Sequence, residues 1–241
     1  MHYYNILMPQ LNAERRISVY LPPSYQSGKR SYSVIYMHDG QNLFEHQEAY
    51  AQAWRIGKIV DKMPIVQQAI IVGIDNGGLE RLNEYAPFKR GKKGGKGAAY
   101  LQFIVETLKP FIDAHYRTLP SVEHTWLMGS SLGGLISFYG SLMYPHIFGK
   151  IGVLSPAFWF NPKILQLKPV GDLKNTHFYV VGSKKESSYM EKALQDTYWR
   201  LKNLGISDDH LNVIIRDTGK HNEAFWSREF KIMYTHLIKA S

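Results

Sequence analysis

The chain has 241 residues, 44% hydrophobic and 20% charged, a balance that excludes a disordered chain and suits one α/β domain with a real core. Cysteine is absent, which excludes disulfides, thiolate metal sites and thiol catalysis. The net charge of +9 permits an anionic partner but does not require one.

The elements follow in chain order. Residues 15–21, Arg-Arg-Ile-Ser-Val-Tyr-Leu, alternate polar and apolar and stop at Pro22-Pro23, which predicts a half-exposed strand near a sheet edge. Residues 33–37 predict a more buried strand, followed by the polar turn His38-Asp39-Gly40-Gln41-Asn42. Residues 53–63 carry a weak helical pattern ended by Pro64. Residues 69–74, Ala-Ile-Ile-Val-Gly-Ile, form a continuous apolar run, as expected of a strand covered on both faces. The stretch 75–97 is polar and glycine-rich without a clear period, which points to a functional or mobile loop. Much of the excess charge lies in this loop, in Lys89-Arg90-Gly91-Lys92-Lys93-Gly94-Gly95-Lys96. This run lacks the spacing and the Ser/Thr of a phosphate loop.

Residues 98–116 place Leu101, Ile104, Val105, Leu108, Phe111 and Ile112 at helical spacing, with Pro110 as a kink point. An apolar run then ends in Gly129-Ser130-Ser131-Leu132-Gly133, and a helix is expected over 132–143. Residues 150–154 form a short strand ending in Ser155-Pro156-Ala157-Phe158-Trp159-Phe160, and residues 177–181 form another ending at Gly182-Ser183. A helix over 189–204 closes at Gly205, residues 211–215 form the last strand and 222–240 the last helix. Strands alternating with helices predict a mostly parallel sheet covered on both faces, in a single domain over 1–241.

In such a sheet, ligands bind beyond the carboxyl ends of the strands. The polar residues there are His38 to Asn42, Asp75-Asn76, Ser131, Ser155, the turn from Gly182 to Glu186, and the stretch from Asp217 to His221. Gly129 to Gly133 fits G-x-S-x-G, in which a serine on a strained strand-to-helix turn exposes its hydroxyl. That hydroxyl needs an adjacent base, and histidine serves because it titrates near neutrality. Of ten histidines, His38 and His221 follow a strand within a glycine-containing turn, and His221 comes after the last strand. Among the carboxylates between Ser131 and His221, Glu186 lies just past a strand's carboxyl end, with Asp217 in reserve. Backbone donors for an oxyanion are expected from Leu132 and from the Gly40-Gln41 turn. Asn42, Tyr85, Phe158 and Trp159 are candidates for the substrate pocket, a core role being open for Phe158 and Trp159. His38 with Asp39 has no second paired cluster to support a metal site, and no cofactor is expected.

Taken jointly, these stretches resemble the putative esterase (esterase D-like) branch of the α/β-hydrolases, which includes enterochelin, feruloyl and acetyl-xylan esterases, S-formylglutathione hydrolases and mycolyltransferases. The resemblance rests on Met37-His38-Asp39-Gly40-Gln41-Asn42-Leu43-Phe44, Glu84-Tyr85-Ala86-Pro87, Leu108-Lys109-Pro110-Phe111-Ile112-Asp113, Gly129 to Leu135, Ser155-Pro156-Ala157-Phe158-Trp159, and Gly219-Lys220-His221-Asn222-Glu223-Ala224-Phe225-Trp226. It implies an α/β-hydrolase fold without a large cap domain. It also implies Ser131 as nucleophile, His221 as base, Glu186 as acid, and an oxyanion hole from the amides of Leu132 and the Gly40-Gln41 turn.

The reading is a serine carboxylesterase acting on a small-molecule ester without a cofactor. Acyl transfer to an alcohol or sugar and non-catalytic polyanion binding are the alternatives. Neither a nucleic acid nor a membrane partner is expected, and a homo-oligomer is left open. The N-terminus shows no signal peptide pattern and no apolar run spans a bilayer, so a cytoplasmic location is expected.

Overall fold

A computed structural model describes residues 1–44 and 53–240. Its first half contains β1 (His2–Met8), β2 (Ala13–Tyr20), α1 (Ser24–Ser27), β3 (Val34–His38), α2 (Ile56–Asp61), β4 (Ile70–Ile74), α3 (Arg81–Tyr85), α4 (Gly97–Phe103) and α5 (Lys109–His115). The second half contains β5 (Thr125–Ser130), α6 (Leu132–Met143), β6 (Lys150–Leu154), β7 (His177–Ser183), α7 (Met190–Asn203), β8 (Leu211–Arg216) and α8 (Glu223–Leu237). The strands form one eight-stranded sheet in the order β1-β2-β4-β3-β5-β6-β7-β8. β1 and β2 are antiparallel, β2 runs antiparallel to β4, and every other neighbouring pair is parallel. This is the α/β-hydrolase fold.

The apolar strand runs split by period 2 onto two covered faces. Val34, Tyr36, Leu127, Ile151 and Val153 face one layer with residues of α4, α6 and α7. Ile35, Met37, Trp126, Met128, Leu154 and Val181 face the other, packed against α2 and α8. Alternate side chains point to opposite faces of a strand, so runs buried on both sides must be apolar throughout.

Three expectations change. Residues 15–21 lie near the edge, but one strand in from it, because the unforeseen β1 pairs along β2 from His2↔Val19 to Met8↔Ala13. The helix expected over 53–63 is shorter, Ile56–Asp61, because Trp54 and Ile56 donate their amides to Asn42 O and Leu43 O of the turn after β3. The helix over 98–116 is continuous in direction, but a π turn at Ile104–Leu108 separates α4 from α5. Pro110 lacks an amide hydrogen and its ring crowds the preceding turn, which accounts for the wider ladder there. Gly205, φ +86°, ends α7 as expected: Gly205 N donates to Lys202 O and Ile206 N to Leu201 O, a Schellman closure.

β3 and β5 are neighbours, yet the chain leaves β3 toward β4 on one side and leaves β5 toward β6 on the other. The crevice above such a reversal is where doubly wound sheets hold ligands. Among the described residues, no helix is long and apolar enough to cross a membrane.

Candidate active site

The turn after β5 stands at this crevice. Ser131 has φ 57° and ψ −118°, a region that non-glycine residues rarely adopt. Three backbone bonds hold it there: Ser131 N donates to Leu154 O at 2.9 Å, Leu135 N to Ser131 O at 3.0 Å and Ala157 N to Ser131 O at 3.0 Å. The strand backbone passes so close to α6 that a Cβ at Gly129 would lie 2.6 Å from the Gly133 carbonyl carbon. The glycines of the motif are thus required by a close backbone approach.

His221 precedes α8, whose first turn is capped by Asn222 Oδ1 accepting from Phe225 N at 3.2 Å. Its Nε2 lies 2.9 Å from Ser131 Oγ, and its Nδ1 lies 2.7 Å from Glu186 Oε2. A carboxylate only accepts, so Nδ1 carries the hydrogen and Nε2 turns its lone pair to the serine hydroxyl. The Glu186 side chain is 1% exposed whereas that of His221 is 40% exposed, so the carboxylate is shielded and the imidazole opens to the cleft. Glu186 is held further by Ser183 N, donating to Oε1 at 2.7 Å, and by Ser155 Oγ, donating to Oε1 at 2.9 Å. Ser155 in turn accepts from Trp226 Nε1 at 2.9 Å, and the Trp226 ring stands edge-on to His221 with centroids 4.9 Å apart. Five side chains from the ends of β5, β6 and β7 and the start of α8 therefore form one hydrogen-bonded chain, braced by an aromatic edge.

Asp217, the reserve carboxylate, points elsewhere and pairs with Lys184 at 3.0 Å. His38 ends β3 fully inside the protein, with Nδ1 2.8 Å from Tyr100 Oη. Burial lowers its pKa to about 3, so it is neutral, and it is not among the residues that line the serine cleft.

The turn after β3 forms the other bank. Asp39, in the left-handed region at φ 57°, accepts from Arg81 at two oxygens, 2.6 and 2.8 Å, and from Asn76 Nδ2 at 2.7 Å. Gly40 lies against β4 so tightly that a Cβ would meet the Gly73 carbonyl carbon at 2.7 Å. The turn's own bonds run from Asn42 N to Asp39 O and from Leu43 N to Gly40 O. Gln41 Oε1 accepts from Asn76 N at 3.1 Å. Among the described residues, Asn42 Oδ1 is buried without a hydrogen-bond partner.

Between the banks lies a cleft of about 780 Å³ lined by Gln41, Asn42, Asn76, Ser131, His221 and Trp226, among others. Its volume is that of a small-molecule site. A larger groove of about 1060 Å³ lies along α8, among Arg228, Lys231, His236 and Lys239, and includes neither Ser131 nor His221.

The structure thus gathers Ser131, His221, Glu186, Gln41 and Asn42 at one site, with Leu132 adjoining Ser131 and Gly40 adjoining Gln41. Three of the residues expected to form the pocket lie elsewhere. Tyr85 is fully buried beneath the turn and accepts from Asp39 N at 3.1 Å. Phe158 is buried against Phe138, and Trp159 is exposed beside Arg90 in a separate concavity. In the sequence Trp226 and Ser155 stand out only as members of longer stretches, with Ser155 also at the rim, and neither carries an expected role there. Their contacts cross 71 and 31 positions of chain.

A family model described as putative esterase matches residues 9–235. YbbA, an uncharacterized protein of Bacillus subtilis (strain 168), is 30% identical over 238 residues, covering 90% of this chain and 89% of its own. The crystal structure of the BES protein from Bacillus cereus has a TM-score of 0.76 at 19% identity, covering 98% of this chain and 94% of that one. An IroE-like serine hydrolase from Shewanella oneidensis has a TM-score of 0.74 at 20% identity, covering 98% of this chain and 78% of that one. At such identities the structural likeness speaks for the fold. The family model spans almost the whole chain, and on that ground this protein belongs to the putative esterase family and is a carboxylic ester hydrolase.

Proposed function

We propose that the protein is a serine esterase that works through an acyl-enzyme on Ser131. The observation that carries this reading is the chain Ser131 Oγ, His221 Nε2, His221 Nδ1, Glu186 Oε2, with spacings of 2.9 and 2.7 Å. His221 Nε2 takes the proton of Ser131 as Oγ attacks the ester carbonyl. Glu186 fixes the tautomer that makes this possible and stabilises the imidazolium that forms. The negative charge moving onto the carbonyl oxygen is met by the amide of Leu132 and an amide of the Gly40-Gln41 turn. The backbone bonds named above use neither the Leu132 nor the Gln41 amide. A donor in such a position is worth about 3–4 kcal/mol of barrier. His221 then protonates the departing alcohol; water, deprotonated by the same nitrogen, attacks the acyl carbon, the bond to Ser131 Oγ breaks, and the proton passes from His221 back to Oγ as the acid leaves.

Apart from the ester and the attacking water, each step uses groups of this chain. The reading is tested with a short-chain p-nitrophenyl ester: wild type gives a burst of p-nitrophenol followed by steady turnover, and Ser131→Ala gives neither. Undiminished hydrolysis by Ser131→Ala would overturn it.

A further inference from the structure

A second concavity opens near the same rim, with a volume of about 370 Å³. Its walls are the loop after α3 and the segment after β6, and include Phe88, Lys89, Arg90, Trp159, Phe160 and Lys163. Reciprocal bonds clamp the two walls: Phe88 N donates to Asn161 Oδ1 at 3.0 Å, and Asn161 Nδ2 donates to Phe88 O at 3.1 Å. Farther along the loop, Gly94 N donates to Asn83 Oδ1 and Gly95 N to Ala86 O, both at 2.8 Å. The concavity is therefore built from pinned backbone.

Its chemistry is unusual for a surface. Trp159 is 55% exposed, although a ring of its size favours burial. The Arg90 guanidinium stands 5.8 Å from the ring centres of both Trp159 and Phe160, and donates to Trp159 O at 3.1 Å. Among the described residues, no carboxylate forms an ion pair with Lys89, Arg90 or Lys163, whereas Lys96 of the same loop pairs with Glu80 at 2.7 Å. Three cations thus surround an open indole without acidic compensation.

The serine cleft has the opposite character. Its guanidinium, Arg81, is neutralised by Asp39, and Glu223 also lines it. Among the described residues, cations without a carboxylate partner thus stand at the concavity, whereas the guanidinium lining the serine cleft is paired. The two places are linked through Ala157, whose amide bonds Ser131 O at 3.0 Å. Consecutive Cα atoms lie about 3.8 Å apart, so the Trp159 backbone is within about 12 Å of that oxygen.

We infer that Trp159, Arg90 and Lys163 form a distal subsite for a planar aromatic anion, and that the ester this enzyme takes carries such a group away from the scissile bond. The indole face receives the ring, and the guanidinium and ammonium groups receive the charge. The substrate assignment rests on the esterase reading; the binding site does not.

The test is calorimetric titration of the full chain with 2-naphthoate, with uncharged 2-naphthamide as control. Naphthoate is expected to bind saturably at low salt and the amide at least tenfold more weakly. Trp159→Ala and Lys163→Gln are each expected to weaken naphthoate about fivefold or more. Lys163 is exposed, so its variant keeps the test valid if Trp159→Ala disturbs the loop. Equal binding of the amide, or naphthoate binding unchanged in both variants, would overturn the subsite. In parallel, wild type and Lys163→Gln are compared on a p-nitrophenyl ester bearing a distal aryl carboxylate and on its uncharged amide counterpart. Lys163→Gln is expected to lower the ratio of kcat/KM, charged over uncharged, about fivefold, and an unchanged ratio would overturn the substrate assignment. Binding without turnover of either ester contradicts the esterase reading and the assignment with it. Turnover without naphthoate binding contradicts the subsite alone.

Discussion

Ser155 donates its hydroxyl hydrogen to Glu186 Oε1 at 2.9 Å, while His221 holds the other oxygen of the same carboxylate. The carboxylate is therefore fixed from both ends. In Ser155→Ala, Glu186 loses one donor and the indole N–H of Trp226 loses its acceptor. A buried polar group left unpaired costs about 1–3 kcal/mol. Chemical denaturation is expected to show a loss of that size, and kcat on a short-chain ester to fall roughly tenfold, given that one pKa unit or tenfold in rate corresponds to about 1.4 kcal/mol. Wild-type stability and rate in the variant would show that Ser155 does not position Glu186.

Glu186→Gln keeps the shape of the side chain and changes its hydrogen bonds. If Oε1 still accepts from Ser183 and Ser155, the amide nitrogen faces His221 Nδ1, which must then accept. The ring hydrogen moves to Nε2 and confronts the serine hydroxyl. In the proposed mechanism this removes the base, and steady-state kinetics should show kcat lower by roughly 10³–10⁴-fold. A loss of less than about tenfold would place the acid role on another residue.

Ser131 sits at φ 57° and ψ −118°, a conformation that stores about 1–3 kcal/mol in a residue with a Cβ. Glycine adopts it freely but gives back about 0.5–1 kcal/mol through the unfolded chain. Ser131→Gly should therefore be inactive yet more stable than wild type by about 1 kcal/mol in urea denaturation, with Ser131→Ala near wild type. A Ser131→Gly variant less stable than Ser131→Ala would argue that the turn is unstrained.

His38 is buried and neutral, with its pKa lowered to about 3. In the unfolded chain it takes up a proton below about pH 6.5. Protons then favour the unfolded state, so stability falls as pH drops from about 6.5 toward 3, by up to about 1.4 kcal/mol per pH unit from this residue. Urea denaturation of wild type and His38→Gln between about pH 7 and pH 4 checks the sign. The difference between them should shift in favour of the variant as the pH falls, and parallel curves would contradict the assignment.

The legible parts of this chain are those in which burial acts on consecutive residues. β3 and β4 are covered on both faces, so their apolar runs stand out and the polar turns after them mark the rim. That rim rule, with the order of residues along the chain, points to Ser131, Glu186 and His221 from the sequence alone. β1 was not legible, because an edge strand half open to water mixes Asn5 and His2 with Ile6 and Leu7 and shows no clean alternation. The pocket walls were read less well for a related reason. Aromatic residues after a strand end suggest a lining, yet Tyr85 and Phe158 turn inward while Trp159 turns out. The choice depends on packing partners remote in sequence, such as Phe138 for Phe158. Trp226 and Ser155 were obscured in the same way, since each acts through a residue that only the fold brings near.

In the proposed mechanism the Ser131 hydroxyl oxygen is the nucleophile, activated by His221. The most direct measurement is intact-protein mass spectrometry after treatment with an aryl phosphonate, followed by peptide mapping. One phosphonyl group should be found on the peptide containing Ser131, absent in Ser131→Ala and formed far more slowly in His221→Ala. A stoichiometric adduct on any other residue, or labelling that persists in Ser131→Ala, would contradict the account.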